Sequence, residues 1–351
     1  ESQKDSVRAD AYLNYLVQNY YSTKKDSCQI LLDELRGFCR ANDLPKIEAL
    51  SLKIKGIIYY QTDEIKLALD NLNIALKINE NLHDEVGIAS VLNNIGLVYQ
   101  FQGDYEKALT NYSRSQELFM KNDEFGTAAN PLANIAILYL KQQEISKGLK
   151  YYEQSLAALE KANDKPQIAI ALANLSDTYR DVEQFEKAKS YAERSLQISR
   201  ELEDPYIEAT ALMSIGNGLL DAKNYDSAQF YFESALVLRR DIEDMQGVAS
   251  SLRSLSRVQD SLNNTVEALD LAEEAYNIAV NIGAKEDELT SAIDLYKTYK
   301  ELGNFEQALS MHEIMTELND SLNSDEKQLE LSKKEFAFEA NLVHVRDSLD
   351  Q

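Results

Sequence analysis

An all-α array is the fold class this sequence predicts, on three observations. Residue columns recur every forty positions along most of the chain, and within each period apolar residues step at i, i+3, i+4 and i+7. Only 12 Gly and 4 Pro interrupt 351 residues. A fixed period of this length marks a repeat architecture, the step marks helices, and the scarcity of breakers leaves those helices intact.

The columns fix the register. From Gly96 the forty-residue step reads Gly56, Gly96, Ala136, Ser176, Gly216 and Ser256, with Leu16 and Tyr296 departing at the ends. Four residues earlier stand Leu52, Leu92, Leu132, Leu172, Leu212 and Leu252. Three residues later stand Tyr59, Tyr99, Tyr139 and Tyr179, then Leu219, Gln259 and Tyr299. Twelve after the Gly column come Cys28, Ala68, Ala108, Gly148, Ala188, Ala228, Ala268 and Ala308. Eight copies follow, starting near residues 9, 49, 89, 129, 169, 209, 249 and 289, and residues 1–328 form the array.

Within the copy around Gly96, each element has a local cause. Leu92, Ile95, Gly96 and Tyr99 lie on one stripe of a first helix. The "QGD" of Gln102 to Asp104 supplies a turn, echoed at Leu302 to Asn304. Tyr105, Ala108, Leu109 and Tyr112 repeat the stripe on a second helix. The link to the next copy holds Asp84, Glu124, Asp164, Asp204 and Asp244 at one place, suited to cap the helix that follows. Pro205 then takes a favoured first helical position. Each copy is a helical hairpin. Gly96 costs about 1 kcal/mol against Ala in a helix, which close packing repays if the Gly96 and Ala108 columns face each other. Asn130-Pro131 predicts a late start or a kink in the first helix of the fourth copy. Beyond the register, residues 329–351 are charged and free of Gly and Pro, with heptad-spaced Leu329, Phe336 and Val343. They predict a C-terminal helix that caps the array or starts a coiled coil, a pattern that allows a homodimer.

Composition excludes several functions. The net charge of −23, from 59 acidic and 36 basic residues, opposes nucleic-acid binding, which needs a basic patch. No apolar run reaches the roughly 20 residues of a membrane span, and the longest uncharged stretch, residues 127–140, contains Pro131. The chain opens at Glu1 without Met or a signal-peptide pattern, which reads as a processed or trimmed piece. Cys28 and Cys39, eleven residues apart on one helix, are too distant to pair and read as buried core. His83, His312 and His344 have no ligand-spaced neighbours, and His312 falls in the aromatic slot of Tyr112 and Phe232. No phosphate loop or nucleophile elbow occurs. The sequence predicts no catalytic residues, no metal and no cofactor.

The order Leu92, Ile95, Gly96, Tyr99, Ala108, Tyr112 resembles the tetratricopeptide repeat, with Leu where that repeat usually has Trp and a period of forty instead of about 34. The longer form is similar to repeats of kinesin light chains, of Pins/LGN polarity adaptors and of bacterial signalling regulators. The resemblance implies a right-handed α-solenoid whose concave groove, lined by first helices, holds a protein or peptide. On this chain the implied groove residues are Asn93, Asn94, Leu97, Gln100 and Phe101, with Asn134 and Ile137, Asn174 and Arg180, Asn217, and Arg253 and Arg257 in later copies. Asn94, Asn134 and Asn174 form a ladder whose amides either bond a ligand backbone or tie neighbouring helices. The three arginines either capture a carboxylate or pair with Asp177, Asp181 or Asp260. The tail is similar to connectors after such arrays in bacterial membrane sensors ahead of kinase, cyclase or DNA-binding outputs. This implies an extracytoplasmic sensor region that does not itself contact the membrane. A cytoplasmic adaptor or a Rap-like peptide-pheromone regulator is the alternative.

Overall fold

The computed structural model describes residues 2–19, 21 and 25–321, and among them every regular element is a helix. The first eight are α1 (Ser2–Asn19), α2 (Lys25–Ala41), α3 (Pro45–Gln61), α4 (Ile65–Asn81), α5 (Glu85–Phe101), α6 (Tyr105–Lys121), α7 (Phe125–Lys141) and α8 (Ile145–Ala162). Next come α9 (Lys165–Asp181), α10 (Phe185–Leu202), α11 (Pro205–Asp221), α12 (Tyr225–Asp241), α13 (Met245–Ser261), α14 (Thr265–Ile282) and α15 (Lys285–Glu301). A further helix, α16, covers residues 305–321. The chain divides into two compact units, one holding α1–α8 and the other α9–α16. In each, a helix packs against the next in sequence, and odd-numbered helices also touch the odd-numbered helix one repeat on. These are stacked helical hairpins, an all-α solenoid fold. The tail at 329–351 lies outside the described residues.

The turns show a regularity finer than forty. A left-handed residue recurs every twenty positions, from Asp43, Asp63 and His83 through Gly103 to Gly283 and Gly303. Both turns of a hairpin are therefore built alike. The amide three residues past the helix reaches back five residues, as Asp104 N does to Tyr99 O at 2.9 Å, and satisfies a free helix-end carbonyl.

The acidic links cap as the spacing predicts, with one exception. Asp84, Asp164, Asp204 and Asp244 each accept an amide of the first turn, whereas Glu124 does not. Its extra methylene carries the carboxylate past the position from which Asp bonds that amide. Burial raises the Asp84 carboxyl, but the Gly87 amide and the Lys46 ammonium outweigh it and hold it below its usual value. Asp84→Ala is expected to cost about 1 kcal/mol in urea unfolding. Because the folded pKa is depressed, this stability is present above the unfolded value and lost as pH falls through the folded one. The gap between wild type and variant should close below about pH 4.

The small-residue column seats what stands sixteen residues on. A Cβ on Gly96 would lie 2.5 Å from the Tyr112 ring, and one on Gly216 the same distance from the Phe232 ring. Where the partner is Ala192 or Ala272, the column holds Ser176 or Ser256. Their hydroxyls donate to Ala188 O at 2.8 Å and Ala268 O at 2.7 Å. Thus the Ala108 column does face the Gly96 column, and the glycine also makes room for a ring. A second buried ladder joins the two helices within a hairpin: Ser115, Ser155 and Ser195 donate to Ala89, Ala129 and Ala169 carbonyls.

The late start expected at Asn130-Pro131 is not found. α7 begins at Phe125, in register with α5, and runs through Pro131 without a break. Pro131 is buried there, so packing against neighbouring helices overrides the local preference of the preceding residue. Both cysteines are buried and free. His312 is exposed, its ring packed beside Tyr296 at 5.8 Å between centroids.

Candidate partner-binding wall

The odd-numbered helices α3, α5 and α7 stand side by side in the first unit, as α9, α11, α13 and α15 do in the second. Each buries one stripe against its even-numbered partner. The residues singled out from sequence lie on these odd-numbered helices, off the stripe buried against the even-numbered partner, and make up a candidate wall. In the first unit Asn93, Asn94, Leu97, Asn134 and Ile137 are half-buried and Phe101 is exposed. In the second, Arg180, Asn217 and Arg253 are half-buried while Asn174 and Arg257 are exposed.

The asparagines are half committed. Asn94 Nδ2 donates to Ser90 O of its own helix at 2.8 Å. Asn134 Nδ2 donates across one repeat to Asn93 Oδ1 at 3.1 Å. That leaves the Asn93 amide as a donor, and the Asn94 and Asn134 carbonyls as acceptors, without a protein partner among the described residues. Phe101 meets the edge of Tyr60 at 5.5 Å, an aromatic pair on the wall whose Tyr60 member went unnoticed in the sequence. Lys53, one repeat before Asn93, was also missed, although the forty-residue step leads to it. Its Nζ donates to Ser90 Oγ at 2.9 Å, and burial lowers its pKa.

The second unit's wall is ionic. Arg180 reaches Asp177 at 3.1 Å, Asp181 at 3.0 Å and Asp221 at 3.5 Å. Asp177 also accepts from Ser214 at 3.2 Å, and burial still pushes its carboxyl up despite Arg180. Arg253 pairs with Asp287 of α15 at 3.4 Å, instead of with the aspartates suggested by its own neighbourhood in sequence. Arg257 is exposed, and burial raises the Asp294 carboxyl even though Arg253, Lys297 and Arg257 oppose the rise. Arg180 thus pairs with two of the aspartates named from sequence, and Arg253 with one that was not named. Asn174 and Asn217 have no side-chain hydrogen bond among the described residues.

Among the described residues no group of three or more His, Cys, Asp or Glu could hold a metal, and no helix is long and apolar enough to cross a membrane.

A family model described as "Tetratricopeptide repeat" matches residues 47–121, 127–201 and 207–281, well over half of the chain. No curated protein sequence matches. Among solved structures, the apo form of the quorum sensor NprR from B. thuringiensis superposes with a TM-score of 0.67 at 17% identity, over 89% of this chain and 87% of that one. The apo form of RapI gives 0.64 at 16% identity, over 79% and 99%. A signal transduction ATPase with numerous domains, carrying a tetratricopeptide repeat sensor, from Pyrococcus horikoshii gives 0.63 at 16% identity, over 94% of this chain and 55% of that one. The chain thus corresponds to about half of the last protein's length. At these identities the likeness is one of fold.

Proposed function

We propose, for a chain that belongs to the tetratricopeptide repeat family, that its odd-helix wall holds an extended peptide segment of a signalling partner without catalysing a reaction on it. The family fold supports a protein-binding repeat module, and the half-committed asparagines carry the finer reading. An extended peptide presents alternating N–H and C=O groups, and the Asn93 donor beside the Asn94 and Asn134 acceptors matches that alternation. The signalling context draws on the neighbours: NprR is a quorum sensor, and the P. horikoshii protein uses its array as a sensor. A peptide-responsive regulator is favoured over a membrane sensor's outer region on the likeness of fold to the quorum sensor NprR. Neither reading involves nucleic acid, a metal or a cofactor. A homodimer through residues 329–351 stays a proposal for the tail.

The test is selection of binders from a phage-displayed library of random heptapeptides on the full chain. Asn94→Ala with Asn134→Ala is expected to weaken a selected peptide about tenfold, with little change in thermal midpoint, and Asn174→Ala probes the second unit separately. A library that yields no binder would sink the proposal. Equal affinity in the variants would return the asparagines to a role in tying helices together.

A further inference from the structure

The two walls differ in charge. From Ala49 to Gln61, Ala89 to Phe101 and Ala129 to Lys141, helices α3, α5 and α7 carry no carboxylate at all. Over the same thirteen positions α9 carries Asp177 and Asp181, α11 Asp221, α13 Asp260, and α15 Asp294 and Glu301. The chain holds 59 acidic residues in 351, so a wall three helices wide without one is a local reversal of its character. Meanwhile the middle column of that wall, Ile57, Leu97 and Ile137, is aliphatic and half-exposed, where the second unit has Asp177, Asn217, Arg257 and Lys297.

Two ammonium groups flank this apolar strip. Lys53 is half-buried with a serine hydroxyl as its hydrogen-bond partner, and Lys141 is exposed. Neither forms an ion pair among the described residues, whereas nearby Lys55 is held by Asp33 at 2.6 Å. Lys53, Leu97 and Lys141 are spaced by forty-four, one repeat plus about one helical turn, so they run diagonally across α3, α5 and α7. Two helix spacings of roughly 10 Å and an axial rise of about 12 Å put the lysines on the order of 23 Å apart. An extended chain covers that in about seven residues.

We infer that the first unit's wall selects an acidic, apolar peptide of about seven residues, with carboxylates toward its two ends and aliphatic or aromatic side chains between them. This rests on the peptide-binding reading above and names the ligand class. Lys53 and Lys141 take the carboxylates, Leu97 with Ile57 and Ile137 takes the apolar centre, and Asn93, Asn94 and Asn134 bond the backbone. Of the two carboxylates that line the hollow beside Lys53, Asp84 and Glu124, the first is already paired with Lys46 at 3.0 Å.

The same heptapeptide selection, run on wild type and on the Lys53→Glu, Lys141→Glu double variant, tests it. The wild-type pool should be enriched in Asp and Glu near the ends and in Leu, Ile or Phe at the centre. A peptide from that pool should bind the double variant at least about tenfold more weakly, and the variant's own pool should shift toward Lys and Arg. If circular dichroism shows that Lys53→Glu impairs folding, Lys141→Glu alone carries the comparison. A wild-type pool without acidic excess, or equal binding by the folded variant, overturns the inference while leaving peptide binding in place. Absence of binders from both proteins refutes the underlying reading instead.

Discussion

Tyr112→Ala is expected to destabilise the first unit by about 3 to 5 kcal/mol, the range for removing a large buried aromatic side chain. Tyr112 is fully buried, packs over Gly96 and donates its hydroxyl to Gln100 Oε1 at 2.8 Å. With Gly opposite, nothing fills the space, since no side chain at position 96 can relax into it. The chain itself contains the remedy at Ser176 with Ala192 and at Ser256 with Ala272. Adding Gly96→Ser to Tyr112→Ala should therefore recover about 1 kcal/mol, as the new hydroxyl bonds the Ala108 carbonyl. Gly96→Ser alone should be destabilising, because a Cβ there meets the ring. Urea unfolding of the four proteins closes the cycle. Additivity within about 0.3 kcal/mol would show that the two columns do not interact.

Arg239→Ala should cost the second unit about 3 kcal/mol, the scale of breaking a buried ion pair by removing one partner. The Arg239 side chain is only 10% exposed and pairs with Asp244. It also donates to Thr210 Oγ1 at 2.8 Å and stacks over the Tyr206 ring at 4.6 Å. Asp244 in turn caps α13 through the Gly247 amide at 3.0 Å. Removing the arginine leaves that carboxylate without its cation in a half-closed site and opens a void beside Gly247. Arg239→Lys should restore less than half of the loss, because a single ammonium cannot divide itself among Asp244, Thr210 and the ring. A loss under about 1 kcal/mol in the alanine variant would place this pair with ordinary surface bridges.

These two sites differ in how visible they were beforehand. Gly96 and Tyr112 stand in columns that repeat, so their importance shows in one chain without any structure. Arg239 shares its column with Asn79, Phe119, Leu159, Ser199 and Ala279, a series with no common chemistry. Its burial follows from Asp244, Thr210 and Tyr206 meeting it from other helices. The wall behaves likewise. That Asn94 and Arg180 face a partner is what the family resemblance implies, and the step of forty only carries that expectation from copy to copy. That Asn134 bonds Asn93, and that Arg253 reaches Asp287, followed from neither, since these partners lie 41 and 34 residues apart.

By itself the sequence determined the helices, their pairing into hairpins, the caps at Asp84, Asp164, Asp204 and Asp244, and the stripe by which the helices of a hairpin pack. All of these depend on spacing along one helix or one turn, where neighbours are set by 3.6-residue periodicity. The tertiary structure decided that α7 continues without a break through Pro131, and that the turns recur every twenty residues. It also decided which side chains meet across repeats, and so which amides and lysines stay open to a partner. Those contacts depend on how one hairpin stacks on the next, and no local period encodes that distance.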